Sequence, residues 1–422
     1  MWNSRRFFKG IQGARRRSIY YACGYGREDL EGPHIGIVNA FNEAAPGHVH
    51  VRSLAEAVKS GVWAAGGVPF EFNCISTCGA VCVGTEHLKY ELVIRDVIAS
   101  SIEIVVQEHL FDGIVIISSC DSIIPGQILG ALRLDRPTIM VTGGPMPAGE
   151  YKGHQILQNE FDEKVLSYKG TGMDGEAEEI LAMEKIINPG PGACPLMGTA
   201  NTMQVISEAL GLSLPGTATI SSVSSEKIWT ARKAGKRIVE MVEEGLNIRK
   251  IITKEALRNA VAVDLAVGGS TNAVLHLLSF AKEVGIPFNL DEFDELSRNI
   301  PCICSVVPNG PNDVNRFHKA GGVPAVMHEI KNFLHSKAIT VTGQSIETCF
   351  ESPCTTEKDV IRPLESEFNQ SEGLAVLRGN ICPDGAICRP VSFNKKMLKF
   401  RGNARVFDSD DEAYKAIVDG SI

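Results

Sequence analysis

Three short stretches each place a cysteine in a turn. They are residues 73–84 (NCISTCGAVCVG), residues 118–126 (SSCDSIIPG) and residues 190–203 (GPGACPLMGTANTM). Each turn also carries glycine or proline, which lets backbone approach a bulky group closely. Three thiolates can hold an iron–sulfur cluster and leave one iron open. An open iron is a Lewis acid able to take a hydroxyl as leaving group. Separate buried thiols are the competing reading, because the three turns lie far apart in the chain. Within the first turn, Cys74, Cys78 and Cys82 are four residues apart. On a helix they would share a face and form a local ligand set, but Gly79 and Gly84 weigh against that helix.

Other polar residues carry two readings each. His48 and His50 (PGHVH) line a site mouth or act as caps. Asp264 and His276 flank VGGSTNAVL, where Ser270 either opens a helix whose N-terminus faces an anion or simply caps it. Gly143-Gly144 and Asp384 read first as turn residues.

The elements that must position these groups read as α/β. Residues 34–39, 68–75, 113–118 and 138–142 are strand-sized apolar runs. Residues 53–65 and 92–109 have helical spacing between them. Alternation of this kind implies right-handed crossovers and a mostly parallel sheet. Ligands gather at the carboxyl ends of such strands, where the turns of Cys78 and Cys120 fall. The middle of the chain is helical, over residues 204–210, 225–244 and 253–263. A polar stretch at 353–372 precedes short strands at 374–377 and 386–391. We expect a large α/β domain over residues 1–364 and the start of a β-rich, barrel-like domain over 365–422.

Composition is that of a folded protein: 44% hydrophobic and 22% charged residues over 422 positions, enough for two cores. A net charge of -8 gives no reason to expect nucleic acid. No apolar run reaches membrane-span length, so no membrane is expected. With 12 cysteines and no secretory signal, ligation is a sharper expectation than disulfides, and the cytoplasm the expected location. The start is basic, with Arg5, Arg6, Lys9 and Arg15, Arg16 and Arg17 ahead of the first acid, Glu28. A surface helix or an import segment would explain it.

Many segments resemble, in order, the dihydroxy-acid and phosphogluconate dehydratases, iron–sulfur hydro-lyases that include the aldonic-acid dehydratases. They begin with residues 32–73, then GTEHLKYELVIRDVIASSIE, CDSIIPG, TGGPMPAGEYKG and GTANTMQVISEALGLSLPG. DLAVGGSTNAVLHLL, FHKAGGVPAVM and LRGNICPDGAI follow. The resemblance implies dehydration of a small 2,3-dihydroxy acid to a 2-keto acid, of the kind used in branched-chain amino-acid synthesis. A sugar acid is the alternative substrate, and a non-catalytic cluster-binding paralogue the alternative role. It implies a [2Fe–2S] or [4Fe–4S] cluster on Cys78, Cys120 and Cys194, with Mg²⁺ beside it on Asp121. A third possibility is altered chemistry using Cys74 or Cys82. A homodimer is implied too.

Two departures accompany the resemblance. Gly79 stands where the family has aspartate, and Ser122 where it has a lysine that becomes carbamylated. A further glutamate ligand and the base are expected beyond Ile422, in a truncated C-terminal region for a separate polypeptide to supply. These departures lead to the expectation that the chain alone dehydrates such acids weakly or not at all.

Overall fold

The computed structural model describes residues 2–168, 174–351, 357–366 and 372–422. Its centre is a parallel sheet of four strands: β1 (His34–Asn39), β2 (Val68–Asn73), β3 (Gly113–Ser118) and β4 (Thr138–Thr142). Their order is β2-β1-β3-β4. Every residue of β1, β3 and β4 is buried, as expected for strands covered on both faces.

The crossovers are α1 (Val51–Ala64), α2 (Tyr90–His109) and α3 (Ile123–Leu134). The step from β1 to β2 runs one way along the sheet, and the later steps run the other way. Right-handed crossovers therefore put α1 on one face and α2 with α3 on the other. The order reverses between β1 and β3, so a crevice opens there at the carboxyl ends.

Small residues let the covering helices approach closely. Methyl groups built on Gly126 and Gly130 of α3 would lie 2.9 Å and 3.0 Å from the carbonyls of Arg95 and Ala99 on α2. Packing of that kind fixes α3, and with it the cysteine turn that α3 follows.

Further helices complete the layers: α4 (Thr199–Ala209), α5 (Ser225–Glu244), α6 (Lys254–Val267) and α7 (Thr271–Val284). Ser224, Thr253 and Ser270 cap α5, α6 and α7, each accepting a backbone N–H. Capping by Ser270 is thus the role the structure shows. The basic start forms two helices, Asn3–Phe7 and Ala14–Ala22. At the far end of the sheet, Asp112 accepts the N–H groups of Ser4 at 3.0 Å and His34 at 2.8 Å.

Smaller antiparallel pairs follow: β5 (Gly149–Tyr151) with β6 (His154–Ile156), and β7 (Ala375–Leu377) with β8 (Ala386–Cys388). The described residues divide into two compact units, Met1–Val391 and Ser392–Ile422. The second unit contains the helix Asp410–Val418, capped by Ser409. Of the expected junction at 353–372, residues 353–356 and 367–371 lie outside the described residues. Among the described residues no helix is long and apolar enough to cross a membrane.

Candidate functional site

The loop after β1, residues 40–50, is the hub of the site. It touches the loop after each of the other three strands. Asn42 donates to the carbonyl of Ser76 at 2.6 Å, and Ser76 donates back to Ala40 at 2.7 Å, which holds the turn of Cys78. Ser119 donates to the carbonyl of Gly47 at 2.6 Å, which holds the turn of Cys120. The N–H of Gly192 donates to Pro46 at 2.8 Å, which holds the turn of Cys194.

The third turn has a second anchor on the sheet. Ala193 N–H donates to Gly144 at 3.0 Å, and Met146 N–H donates to Ala193 at 2.8 Å, just beyond β4. Asn201 of α4 donates to the carbonyls of Cys194 at 2.7 Å and Leu196 at 2.8 Å. Gln204, one turn on, donates to Asn201 at 2.8 Å and accepts the N–H of Gly144 at 2.7 Å. Both side chains are fully buried.

His48 and His50 are braces within this hub. His48 Nε2 accepts the N–H of Ser119 at 3.3 Å, and His50 Nε2 lies 2.9 Å from the Gly143 carbonyl. Burial, helped by the neighbouring His50, pushes His48 down to about 3, so its ring is neutral. Gly47 presents bare backbone to Cys120: a methyl built there would collide with Cys120 Sγ.

The three cysteines feel one another. Burial, then the charges of Cys78 and Cys194, holds the Cys120 thiol well above its ordinary value. Burial and Cys78 raise Cys194 to about 11. Burial raises Cys78 as well, with Glu91 adding to it. Cys74 stands apart, buried with its sulfur 3.2 Å from Gln127 Nε2. Cys82 folds back on the Gly79 carbonyl at 3.3 Å.

Two carboxyl groups flank the cysteines. Burial, then the charge of Glu91, raises Asp121 to about 6, against a hydrogen bond from Thr199. Thr199 Oγ1 is also 2.8 Å from Ser270 Oγ, so the first turns of α4 and α7 meet beside Asp121. Glu91, in the first turn of α2, is raised by burial against the N–H of Ser122 and the hydroxyl of Thr77. A methyl built on Gly79 would lie 2.7 Å from Glu91 Oε2. The other oxygen, Oε1, is buried with no hydrogen-bond partner.

These residues can be matched against the two groups the resemblance implies. Three soft thiols from three separate loops suit a multi-iron cluster. Among the described residues no three His, Cys, Asp or Glu side chains surround one metal ion. Mg²⁺ does not require such a cage: it takes one or two carboxylates and completes its shell with waters and substrate oxygens. Asp121 and the unpartnered oxygen of Glu91 offer that donor set. Ser122 offers only a buried hydroxyl.

Sequence reasoning named Cys78, Cys120, Cys194 and Asp121, and it missed Glu91, Thr199, Asn201 and Gln204. The i, i+3 spacing of Asn201 and Gln204, which puts two amides on one face of the helix, is the signal that could have found them. Another group is buried behind β4. Lys227 donates to Thr142 Oγ1 at 3.0 Å and to the Thr217 carbonyl at 2.8 Å. Its partner in charge is Glu208, which accepts the N–H groups of Gly216 at 2.6 Å and Ala218 at 2.8 Å. Asp264 is fully buried, and neither of its oxygens has a hydrogen-bond partner.

Comparison with known proteins places this arrangement. The profile "Dihydroxy-acid/6-phosphogluconate dehydratase N-terminal" matches residues 32–349, and its C-terminal counterpart matches residues 359–422. A dihydroxy-acid dehydratase of Ignicoccus hospitalis is 43% identical, over 97% of this chain and 74% of that protein. Those of Methanothermobacter thermautotrophicus and Methanococcus maripaludis are 44% and 45% identical, each over 98% of this chain and 75% of the relative. The expected truncation and altered cation site are not borne out by these findings. The chain is a hydro-lyase by descent and belongs to the dihydroxy-acid/6-phosphogluconate dehydratase family.

Proposed function

We propose that this chain dehydrates a branched 2,3-dihydroxy acid, such as 2,3-dihydroxy-3-methylbutanoate, to the 2-keto acid. In this reading Cys78, Cys120 and Cys194 hold an iron–sulfur cluster, and Asp121 faces a Mg²⁺ ion. The observation that carries it is the hub loop 40–50, which bonds to all three cysteine turns at the crevice between β1 and β3.

The cluster, when bound, supplies a Lewis acid for the departing hydroxyl, and Mg²⁺ supplies charge for the substrate carboxylate. The chain's own residues do the positioning. Thr199 fixes Asp121, and Ser270 fixes Thr199. The first turn of α4, which has no side-chain cap, opens on that side and favours a carboxylate there. Neutral His48 and His50 keep the hub rigid without adding charge. Overall, the 3-hydroxyl and the C2 proton leave as water, and the enol becomes the ketone.

The same reading includes a homodimer located in the cytoplasm and a domain boundary near residue 364. Tyr90, Val93, Val97 and Ile104 lie exposed along α2, an apolar stripe of the kind a second subunit would cover. The test of substrate is direct: the anaerobically reconstituted protein with Mg²⁺ is offered 2,3-dihydroxy-3-methylbutanoate and 6-phosphogluconate, and 2-keto acid is measured. Preference for the first supports the reading, and preference for the second replaces it with a sugar-acid dehydratase.

A further inference from the structure

We infer that Glu91 is a carboxylate ligand of the divalent cation in this chain, reaching from α2 into the space that Gly79 leaves open. The inference rests on the proposed function and goes beyond it, since the cation site was expected to lack a carboxylate at position 79.

Geometry carries it. A methyl built on Gly79 would lie 2.7 Å from Oε2 and 3.0 Å from Cδ of Glu91. The volume in which a side chain at position 79 would begin therefore holds the carboxylate of Glu91. Thr77 Oγ1 lies 3.5 Å from Oε2. The backbone of Ser122 lies close enough to act on the same carboxylate, and Ser122 directly follows Asp121, so Glu91 stands beside the backbone that carries the second carboxylate.

The free valence points to a ligand. Oε1 of Glu91 is buried and has no hydrogen-bond partner, although a buried carboxylate oxygen normally finds one. A Mg²⁺ ion bound by Glu91 and Asp121 would satisfy it. Two carboxylates, with waters and substrate oxygens completing six ligands, are the donor set this ion takes. A carboxylate on the first turn of a helix can also serve only to complement the helix dipole. The neighbouring N–H of Ser122 opens α3, so the test has to separate that role from ligation.

Mn²⁺ provides the probe. It is titrated into the cluster-loaded protein, with free Mn²⁺ read by electron paramagnetic resonance. Iron content and visible absorbance are recorded on the same samples. Glu91→Gln keeps an acceptor for Ser122 N–H and removes the charge. We expect it to weaken Mn²⁺ binding at least tenfold while melting temperature, iron content and absorbance stay as in the parent. Gly79→Asp combined with Glu91→Ala should recover most of the affinity, because the carboxylate then comes from the loop. Equal affinity of the parent and Glu91→Gln, within twofold, overturns the inference and leaves Glu91 a helix-end residue. A parent that carries iron but binds no Mn²⁺ overturns it too, while the cluster stands. A parent that binds Mn²⁺ but takes up no iron instead removes the cluster from the proposed function.

Discussion

Gln204 Nε2 donates to Asn201 Oδ1 at 2.8 Å, and that bond ties the loop of Cys194 to the segment after β4 through side chains, beside the backbone bonds of Ala193. On one side Gln204 holds the N–H of Gly144, and on the other Asn201 holds the carbonyls of Cys194 and Leu196. Replacing Asn201 with alanine would leave the Leu196 carbonyl and one glutamine donor without partners, while the Cys194 carbonyl would keep only the N–H of Leu196. An unmet buried polar group costs about 1–3 kcal/mol, so Asn201→Ala should lower stability by at least that much. Urea unfolding of the cluster-free protein checks it. Cys194 should also react faster with a thiol reagent, and unchanged reactivity would show that the clip does not restrain the loop.

Substitution should separate the ligand cysteines from the bystanders. Cys78→Ala, Cys120→Ala and Cys194→Ala should each abolish the visible absorbance of the reconstituted protein. Cys82→Ala should keep it, since Cys82 bonds back to its own turn. An absorbance spectrum after anaerobic reconstitution decides this. Loss of the signal in Cys82→Ala together with its survival in Cys78→Ala would exchange the two roles.

Lys227 and Glu208 are both buried and feel one another's charge, while each takes its hydrogen bonds from other groups. Burial pushes the lysine down and the carboxyl up from their ordinary values. Lys227→Met leaves the Thr217 carbonyl without this donor and Glu208 without its opposing charge, and an unmet buried group costs about 1–3 kcal/mol. Lys227→Met should therefore be destabilising, and Lys227→Met with Glu208→Gln should cost less than the two single changes summed. Strict additivity in denaturant melts would show that the two groups do not interact.

His34 predicts a pH dependence. Burial outweighs the nearby Asp112 and pushes this histidine from an ordinary value of 6.5 to about 4. The unfolded chain therefore binds a proton that the folded chain refuses between those values. Stability is fully present above pH 6.5 and declines as the pH falls toward 4. At pH 5 the loss from this one group is about 1–2 kcal/mol. His34→Phe should flatten that part of the curve, and its ring would join Phe8 at 4.6 Å and Phe70 at 5.1 Å. Equal slopes for the parent and His34→Phe between pH 5 and 7 would contradict the assignment.

Much of the sheet was legible because buried parallel strands are short apolar runs with polar turns after them. Residues 34–39, 113–118 and 138–142 form strands with the expected bounds, and 225–244 forms the expected helix. The second strand ends at Asn73 rather than residue 75, because its partner strand ends at Asn39 and no ladder remains. The helix expected from residue 204 begins at Thr199, since Gly198 supplies the extended turn ahead of it. Cysteine turns were visible as residue types in place. Glu91 was not, because its meeting with Gly79 depends on how α2 lies against the turn. Lys227 was hidden for a related reason: lysine on an amphipathic helix reads as solvated until packing covers it.

On the proposed reading, three cysteines hold the cluster that makes this chain a dehydratase. The most direct measurement is 2-keto acid formation from 2,3-dihydroxy-3-methylbutanoate by the anaerobically reconstituted protein, beside its Cys120→Ala variant, with Mg²⁺ present. Product is expected from the parent in proportion to bound iron, and none from the variant. Product at equal rates from both, or no product from a parent fully loaded with iron, would contradict it.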